Sequence, residues 1–228
     1  MLKQRHHYCL DTKEYSLDTK VEVKIDPIRL NDLPDIAKLY EDAFAGHFLG
    51  HMGPKFLELF CAQFMNSPTN YGFVAKCNGR AVGFLLGTID CEPLYQFYRQ
   101  NFLVLSLIVL KRYLMDGYVR KHITQRLGQI PVAIKALFTG PKRESNLKQD
   151  NTSINGRLLA IGVDLNYRGT GIANRLTSQF CAQMKREGLK KVGLSALAWN
   201  ERAIRFYKKD GWISEECSEA SVSFIRNI

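Results

Sequence analysis

From Glu22 to Ile28 the chain alternates, Val23 and Ile25 against Glu22, Lys24 and Asp26, and this period of two predicts a strand. A helix follows, with Asn31 as the expected N-cap and Leu33, Ile36, Tyr40, Ala43 and Phe44 along one face. Pro54, a favoured first-turn residue, opens a second helix whose stripe is Leu57, Phe60 and Phe64. Between them runs Gly46-His47-Phe48-Leu49-Gly50-His51-Met52-Gly53, a loop with three glycines. Tyr71 to Cys77 and Ala81 to Ile89 read as strands joined through Asn78-Gly79 and Arg80, a strong short-range hairpin signal. Gly156 to Val163 is another strand, followed by a glycine turn and a helix from about Ile172 to Glu187 that Gly188 caps. Val192 to Ala198 is a strand, Asn200 caps a short helix ending at Gly211, and the tail reads as two more strands. The order β-α-α-β-β, insertion, β-α-β-α-β-β predicts an α/β fold, a mixed sheet with helices on both faces.

The first twenty or so residues are polar and unpatterned, so residues 1–21 are expected to be an extension and 22–228 one domain. Residues 91–150 interrupt the alternation. Their pattern is helical, broken at Asp116-Gly117 and Pro131, and a polar linker runs from Gly140 to Asn155, so a helical insertion is expected over about 91–155. Its longest apolar run, Phe102 to Leu110, ends at Lys111-Arg112. Nine residues are far short of the ~20 that a bilayer span needs. The N-terminus has no apolar stretch behind its charges and does not read as a secretory signal, so a cytoplasmic location is expected.

Composition excludes disorder, collagen and coiled coil: 46% of the 228 residues are hydrophobic and 24% charged. No two of the six cysteines stand at C-x-x-C spacing and no histidine completes a zinc pattern, so free thiols and no metal are expected. The charge is unusual. Lys+Arg 32 against Asp+Glu 22 gives +10, and ten Lys/Arg against four Asp/Glu put +6 of it in residues 91–150. Such a balance points to an anionic partner without naming it.

The chemistry lies in Val163-Asp164-Leu165-Asn166-Tyr167-Arg168-Gly169-Thr170-Gly171-Ile172-Ala173, a strand end, a glycine turn and a helix start. The first amides of a helix lack carbonyl partners and sit at the positive end of its dipole, and glycines let an anion approach the backbone. A Walker loop would need Gly-Lys-Ser/Thr, which is missing. A dinucleotide fingerprint would need Gly or Ala where Asn174 stands. Arg168-x-x-Gly171-x-Ala173 instead resembles the Q/R-x-x-G-x-G/A coenzyme A loop of the GNAT superfamily of N-acetyltransferases. Asn200-Glu201-Arg202-Ala203-Ile204-Arg205-Phe206-Tyr207-Lys208-Lys209-Asp210-Gly211-Trp212 is similar to that superfamily's N-x-x-A-x-x-F-Y-x-K-x-G-F block, with Trp212 for Phe. Phe44-Ala45-Gly46 and Leu49 to Leu57 loosely resemble a GNAT subgroup found among polysaccharide-biosynthesis enzymes. The departures are Leu165 where the superfamily usually has Pro, and the insertion.

The resemblance implies a GNAT-like, mostly antiparallel sheet whose fourth and fifth strands are parallel and splayed. It implies acetyl-CoA as co-substrate and direct transfer of the acetyl group to an amine in a ternary complex. The pantetheine arm would pair with strand backbone at Ile161, Gly162 and Val163, where an N–H would also steady the oxyanion. Arg168, Gly169, Thr170, Gly171, Ile172 and Ala173 would hold the pyrophosphate, while Asn200, Ala203 and Phe206 would meet the coenzyme. Asn200 is equally an N-cap. Tyr207 would donate to the departing thiolate; as a core tyrosine it would need no such role.

The strand from Gly156 to Val163 holds no carboxylate, so the general base is open among Asp90, Glu92, His47, His51 and a water relay. His47, His51 and Asp90 are the candidate acceptor contacts. The basic insertion would either cover the acceptor groove, attracting a small amine such as a nucleotide-linked amino sugar, or pack on the core or form a homodimer. A protein N-terminus or lysine is the rival acceptor. A basic module for nucleic acid or a membrane surface is the rival of another class, although no RRM, KH or helix-turn-helix signature is present and nucleic acid is not expected.

Overall fold

The computed structural model describes residues 22–89, 93–125 and 156–228. Its seven strands form one sheet: β1 (Val23–Pro27), β2 (Asn70–Cys77), β3 (Arg80–Thr88), β4 (Gly156–Val163), β5 (Lys191–Leu197), β6 (Ile213–Cys217) and β7 (Ser221–Asn227), in the order β1-β2-β3-β4-β5-β7-β6. Every pairing is antiparallel except β4 with β5. The Asn78-Gly79 hairpin forms as expected, with both residues at positive φ, 50° and 80°.

Helices cover both faces. On one lie α1 (Leu33–Ala43), α2 (Pro54–Ala62) and the inserted helices α3 (Pro93–Gln100), α4 (Phe102–Met115) and α5 (Gly117–Thr124). On the other lie α6 (Ile172–Arg186) and α7 (Glu201–Lys209). Central β3 is buried on both sides, which is why its sequence is a continuous apolar run. Phe84 and Leu86 join Ile36, Tyr40 and Leu57 beneath α1 and α2, whereas Leu85 joins Leu176, Phe180 and Met184 of α6.

The insertion packs on the core. Phe97, Leu105 and Val119 belong to the cluster of α1 and α2, and the Phe97 ring meets Phe56 and Phe60 edge-on at 6.0 and 5.9 Å. Among the described residues no helix is long and apolar enough to cross a membrane.

One local expectation is overturned. Asn31 does not cap α1; it lies exposed inside a 3-10 turn, Leu30–Asp32, and Asp32 occupies the capping position. The Asp32 carboxylate accepts from the Arg29 amide at 3.0 Å and pairs with Lys76 at 2.6 Å, fixing the turn one residue further on.

Gly87 shows how tightly β3 and α6 pack. A Cβ there would lie 2.3 Å from the fully buried Phe180 ring. Gly87→Ala is therefore expected to cost about 2 kcal/mol through overpacking. Thermal unfolding checks this: Tm should fall by about 4–8 °C.

Candidate active site

The site begins where β4 and β5 separate. They pair only at Gly156↔Val192 and Arg157↔Gly193, after which β5 runs along β7 as far as Leu197↔Ser221. The cause is local. Leu86 faces Ala160 and Gly87 faces Leu158, so Leu159 is an extra residue in β4, a bulge that bends the strand. It also switches side-chain parity: Leu158, Ile161 and Val163 all face α6, while Ala160 faces α1. Beyond the bulge β4 presents a free edge to the slot. The Asp164 amide donates to Val82 at 2.9 Å, on the β3 side, so strand alternation turns the backbone of Val163 and Ile161 towards the slot and that of Gly162 towards β3. The Val163 carbonyl is free enough to accept from Arg168 Nε at 3.4 Å.

At the end of β4 the chain turns through residues 164–171. Asp164 accepts from the Asn166 amide at 2.8 Å and Thr170 donates to the Tyr167 carbonyl at 2.7 Å, so these side chains hold the loop's own shape. Gly169 and Gly171 both have φ of +83°, and a Cβ on either would meet nothing within 4 Å. The first amides of α6, those of Ile172 and Ala173 among them, therefore open onto free space. Arg168 is exposed, yet partial burial and then the like charge of Arg202 lower its pKa, which places two guanidinium groups beside the loop. Backbone amides, a helix dipole and two cations make a site for a phosphorylated ligand.

The third part is α7. Asn200 caps it, Oδ1 accepting from the Ala203 amide at 3.1 Å, so the cap reading of that residue is what the geometry shows directly. Ala203 and Phe206 are half-buried on the same side as Tyr207. The Tyr207 ring is wedged among Phe206, Trp212 and Phe224, with centroids 5.2 to 5.9 Å apart. Among the described residues no buried side-chain oxygen lacks a hydrogen-bond partner, and the Tyr207 hydroxyl has none. The ring is thus core, and its hydroxyl is left without a partner among the described residues. Burial and the Asp210 carboxylate push its pKa well above 10.

On the opposite face, residues 43–53 cross from β4 to β5. A Cβ on Gly162 would lie 3.2 Å from the Ala43 Cβ, and one on Gly46 3.8 Å from the Trp199 ring. His47 lies between Phe44 (5.2 Å, edge-on) and the exposed Trp199 (5.9 Å). The insertion grips the rest of this loop. Asp116, the N-cap of α5, bonds His51 Nδ1 at 2.9 Å, Tyr118 stacks on His51 at 4.1 Å and donates to the Gly46 carbonyl at 3.1 Å, and Arg112 Nε donates to Met52 at 3.2 Å. The His51 bond is the main reason the Asp116 carboxyl titrates below its ordinary range.

Residues 139–212 match the family model described as "Acetyltransferase (GNAT) family". That stretch, from the approach to β4 through α7, is similar to the GNAT acetyltransferase family. No curated protein matches the sequence significantly. Among solved structures, the chain is similar to PH1933 from Pyrococcus horikoshii (TM-score 0.55, 16% identity, 91% of this chain and 99% of that one). It is also similar to the PaiA N-acetyltransferase from Thermoplasma acidophilum in complex with coenzyme A (0.51, 11%, 91% and 99%). A third is the ribosomal-protein-S18-alanine N-acetyltransferase from Escherichia coli (0.51, 13%, 91% and 94%). At these identities the likeness is one of fold.

The residues expected to meet a coenzyme fall on three adjoining elements: the free edge of β4, the glycine loop and α7. His47 lies at the mouth of the slot on the α1 face. His51 is turned into the insertion, and Asp90 and Glu92 lie outside the described residues. A cavity of about 880 Å³ opens beside the end of β4 between Lys38, Asp42, Arg80 and Arg168, but neither Tyr207 nor His47 lines it. The site also holds residues that sequence reasoning passed over. Arg202 adds a charge beside the glycine loop; its place in the first turn of a helix next to that loop was the available signal. Asp210 accepts from Asn174, Thr177, Trp212 and Arg226, tying α6, α7 and β7 together, and no spacing rule announces such a hub.

Proposed function

We propose that this GNAT domain moves the acetyl group of acetyl-CoA to the primary amine of a small molecule by direct attack in a ternary complex. The splayed β4 edge supports this: it leaves the backbone of Ile161 and Val163 without a partner strand, next to the amides of Gly169 to Ala173. The pantetheine arm pairs with the first group and the pyrophosphate sits on the second, with Arg168 and Arg202 at its sides. Asn200 contributes Nδ2, since Oδ1 is occupied by its cap bond, and Ala203 and Phe206 provide the apolar wall. The Tyr207 hydroxyl meets the sulfur.

The acceptor enters from the α1 face, where the loop carrying His47 crosses the slot. Residues 93–125 bring five Lys/Arg and one Asp to that side, a balance that favours an amine carrying negative charge, such as a nucleotide-linked amino sugar. The test is a thiol-release assay with acetyl-CoA across amino acids, polyamines, amino sugars, nucleotide sugars and N-terminal peptides. Turnover fastest with an anionic small amine is expected; turnover confined to peptides overturns the acceptor class.

The coenzyme loop has its own check. Gly171→Val forces a side chain into left-handed backbone and into the anion's space, at a cost of about 1–2 kcal/mol in backbone alone. The Kd for coenzyme A measured by calorimetry should rise at least about tenfold.

A further inference from the structure

Resting on that reading, we propose that His47 is the base that takes the proton from the attacking amine. Three imidazoles lie near the loop. His51 gives Nδ1 to Asp116 and its ring to Tyr118, and His122 gives Nδ1 to the Tyr118 carbonyl and its ring to the same tyrosine. Both are held on the insertion side. His47 has neither constraint: among the described residues its ring nitrogens have no hydrogen-bond partner, and the residue is only half-buried. Its position is the decisive point. The segment it belongs to starts over Gly162 on β4 and ends against Trp199 just past β5, so the ring stands at the mouth of the slot. Tyr207 approaches the same slot from the α6 and α7 face. A base on one side and a donor to sulfur on the other is the arrangement acyl transfer to an amine requires.

The step balances without a further reactant. The amine lone pair forms the C–N bond and the carbonyl π pair moves to oxygen, where an N–H of the β4 edge meets it. A His47 nitrogen accepts the N–H proton. Collapse of the oxyanion breaks the C–S bond, the thiolate leaves against the Tyr207 hydroxyl, and the imidazolium returns its proton to solvent and so to the thiol.

The surroundings keep the imidazole neutral. Phe44 just past α1 and Trp199 beyond β5 carry no charge, and Tyr118, brought to the same loop by α5, spends its hydroxyl on the Gly46 carbonyl. Burial alone lowers the His47 pKa below the ordinary 6.5. Its basic form therefore predominates at neutral pH and is lost as pH falls through its pKa.

The test is the pH dependence of kcat/KM for the best acceptor. In the wild type both the amine and the imidazole must be deprotonated, so log kcat/KM should rise with slope 2 below the His47 pKa and slope 1 above it. His47→Gln should show slope 1 throughout and a loss of roughly tenfold at pH 7, with an unchanged Kd for coenzyme A reporting an intact site. His47→Ala with added imidazole should regain rate. A wild-type slope of 1 at low pH overturns the assignment whatever the variants do, as does loss of the steep limb in His51→Gln but not His47→Gln. Absence of turnover by the wild type with every amine would instead overturn the reading on which it rests.

Discussion

Replacing Tyr207 by Phe is expected to lower kcat by about 10²-fold or more while leaving coenzyme affinity and thermal stability nearly unchanged. The ring does the packing, among Phe206, Trp212 and Phe224, and Phe preserves it. Only the hydroxyl is removed, and it supports no other contact among the described residues. The raised pKa refines its role. A free phenol near 10 is already less acidic than a thiol near 8.5, a gap of roughly 2 kcal/mol against full proton transfer. Burial and Asp210 widen that gap. In the proposed reaction Tyr207 therefore serves as a neutral hydrogen-bond donor whose bond strengthens as sulfur gains charge. Because a raised pKa keeps the phenol protonated, kcat should show no alkaline loss attributable to Tyr207 below about pH 10. Steady-state kinetics and calorimetry of the two proteins decide the matter. An unchanged kcat in the variant would remove Tyr207 from the chemistry and leave it a core residue.

Why Tyr207 was legible in the sequence, and Asp210 three residues later was not, has a physical basis. Strands and helices here follow from periodicity, and Gly156–Val163 begins and ends where its pattern does. Motif residues act through backbone geometry, which spacing encodes: glycines at positive φ, an Asn cap, an i, i+4 face. The Leu159 bulge is different, because an extra residue in one strand is defined only against its partner. Asn31 was misread for a related reason. Its side chain is a good cap, but the ion pair of Asp32 with Lys76, a contact across 44 positions of chain, shifts the helix start. The grip of the insertion on His51, Gly46 and Met52 is likewise made of contacts 60 or more positions apart. Composition located the basic charge in the insertion; only tertiary structure shows that the same helices hold the loop at the mouth of the slot.

Asp210→Ala is expected to destabilise the protein by about 2–3 kcal/mol, with Tm falling by about 4–12 °C. The carboxylate side chain is only 7% exposed and accepts four hydrogen bonds: from Asn174 and Thr177 of α6 at 2.6 and 2.8 Å, from the Trp212 indole at 3.1 Å and from Arg226 of β7 at 3.1 Å. Thr177 is fully buried, and the variant leaves its hydroxyl with the Asn174 carbonyl alone. Arg226, at 29% exposure, keeps some access to water, which holds the cost below the 3–5 kcal/mol typical of a fully buried broken pair. Asp210 immediately follows α7, so the same change loosens the helix that carries Tyr207, and kcat should fall together with Tm. That joint loss distinguishes it from Tyr207→Phe, where kcat falls alone. The double variant Asp210→Ala, Arg226→Ala should lose less stability than the sum of the two single changes, because it leaves no charge without its partner. Strict additivity in that cycle, or a Tm within 2 °C of wild type for Asp210→Ala, would show that the four bonds do not hold α6, α7 and β7 together.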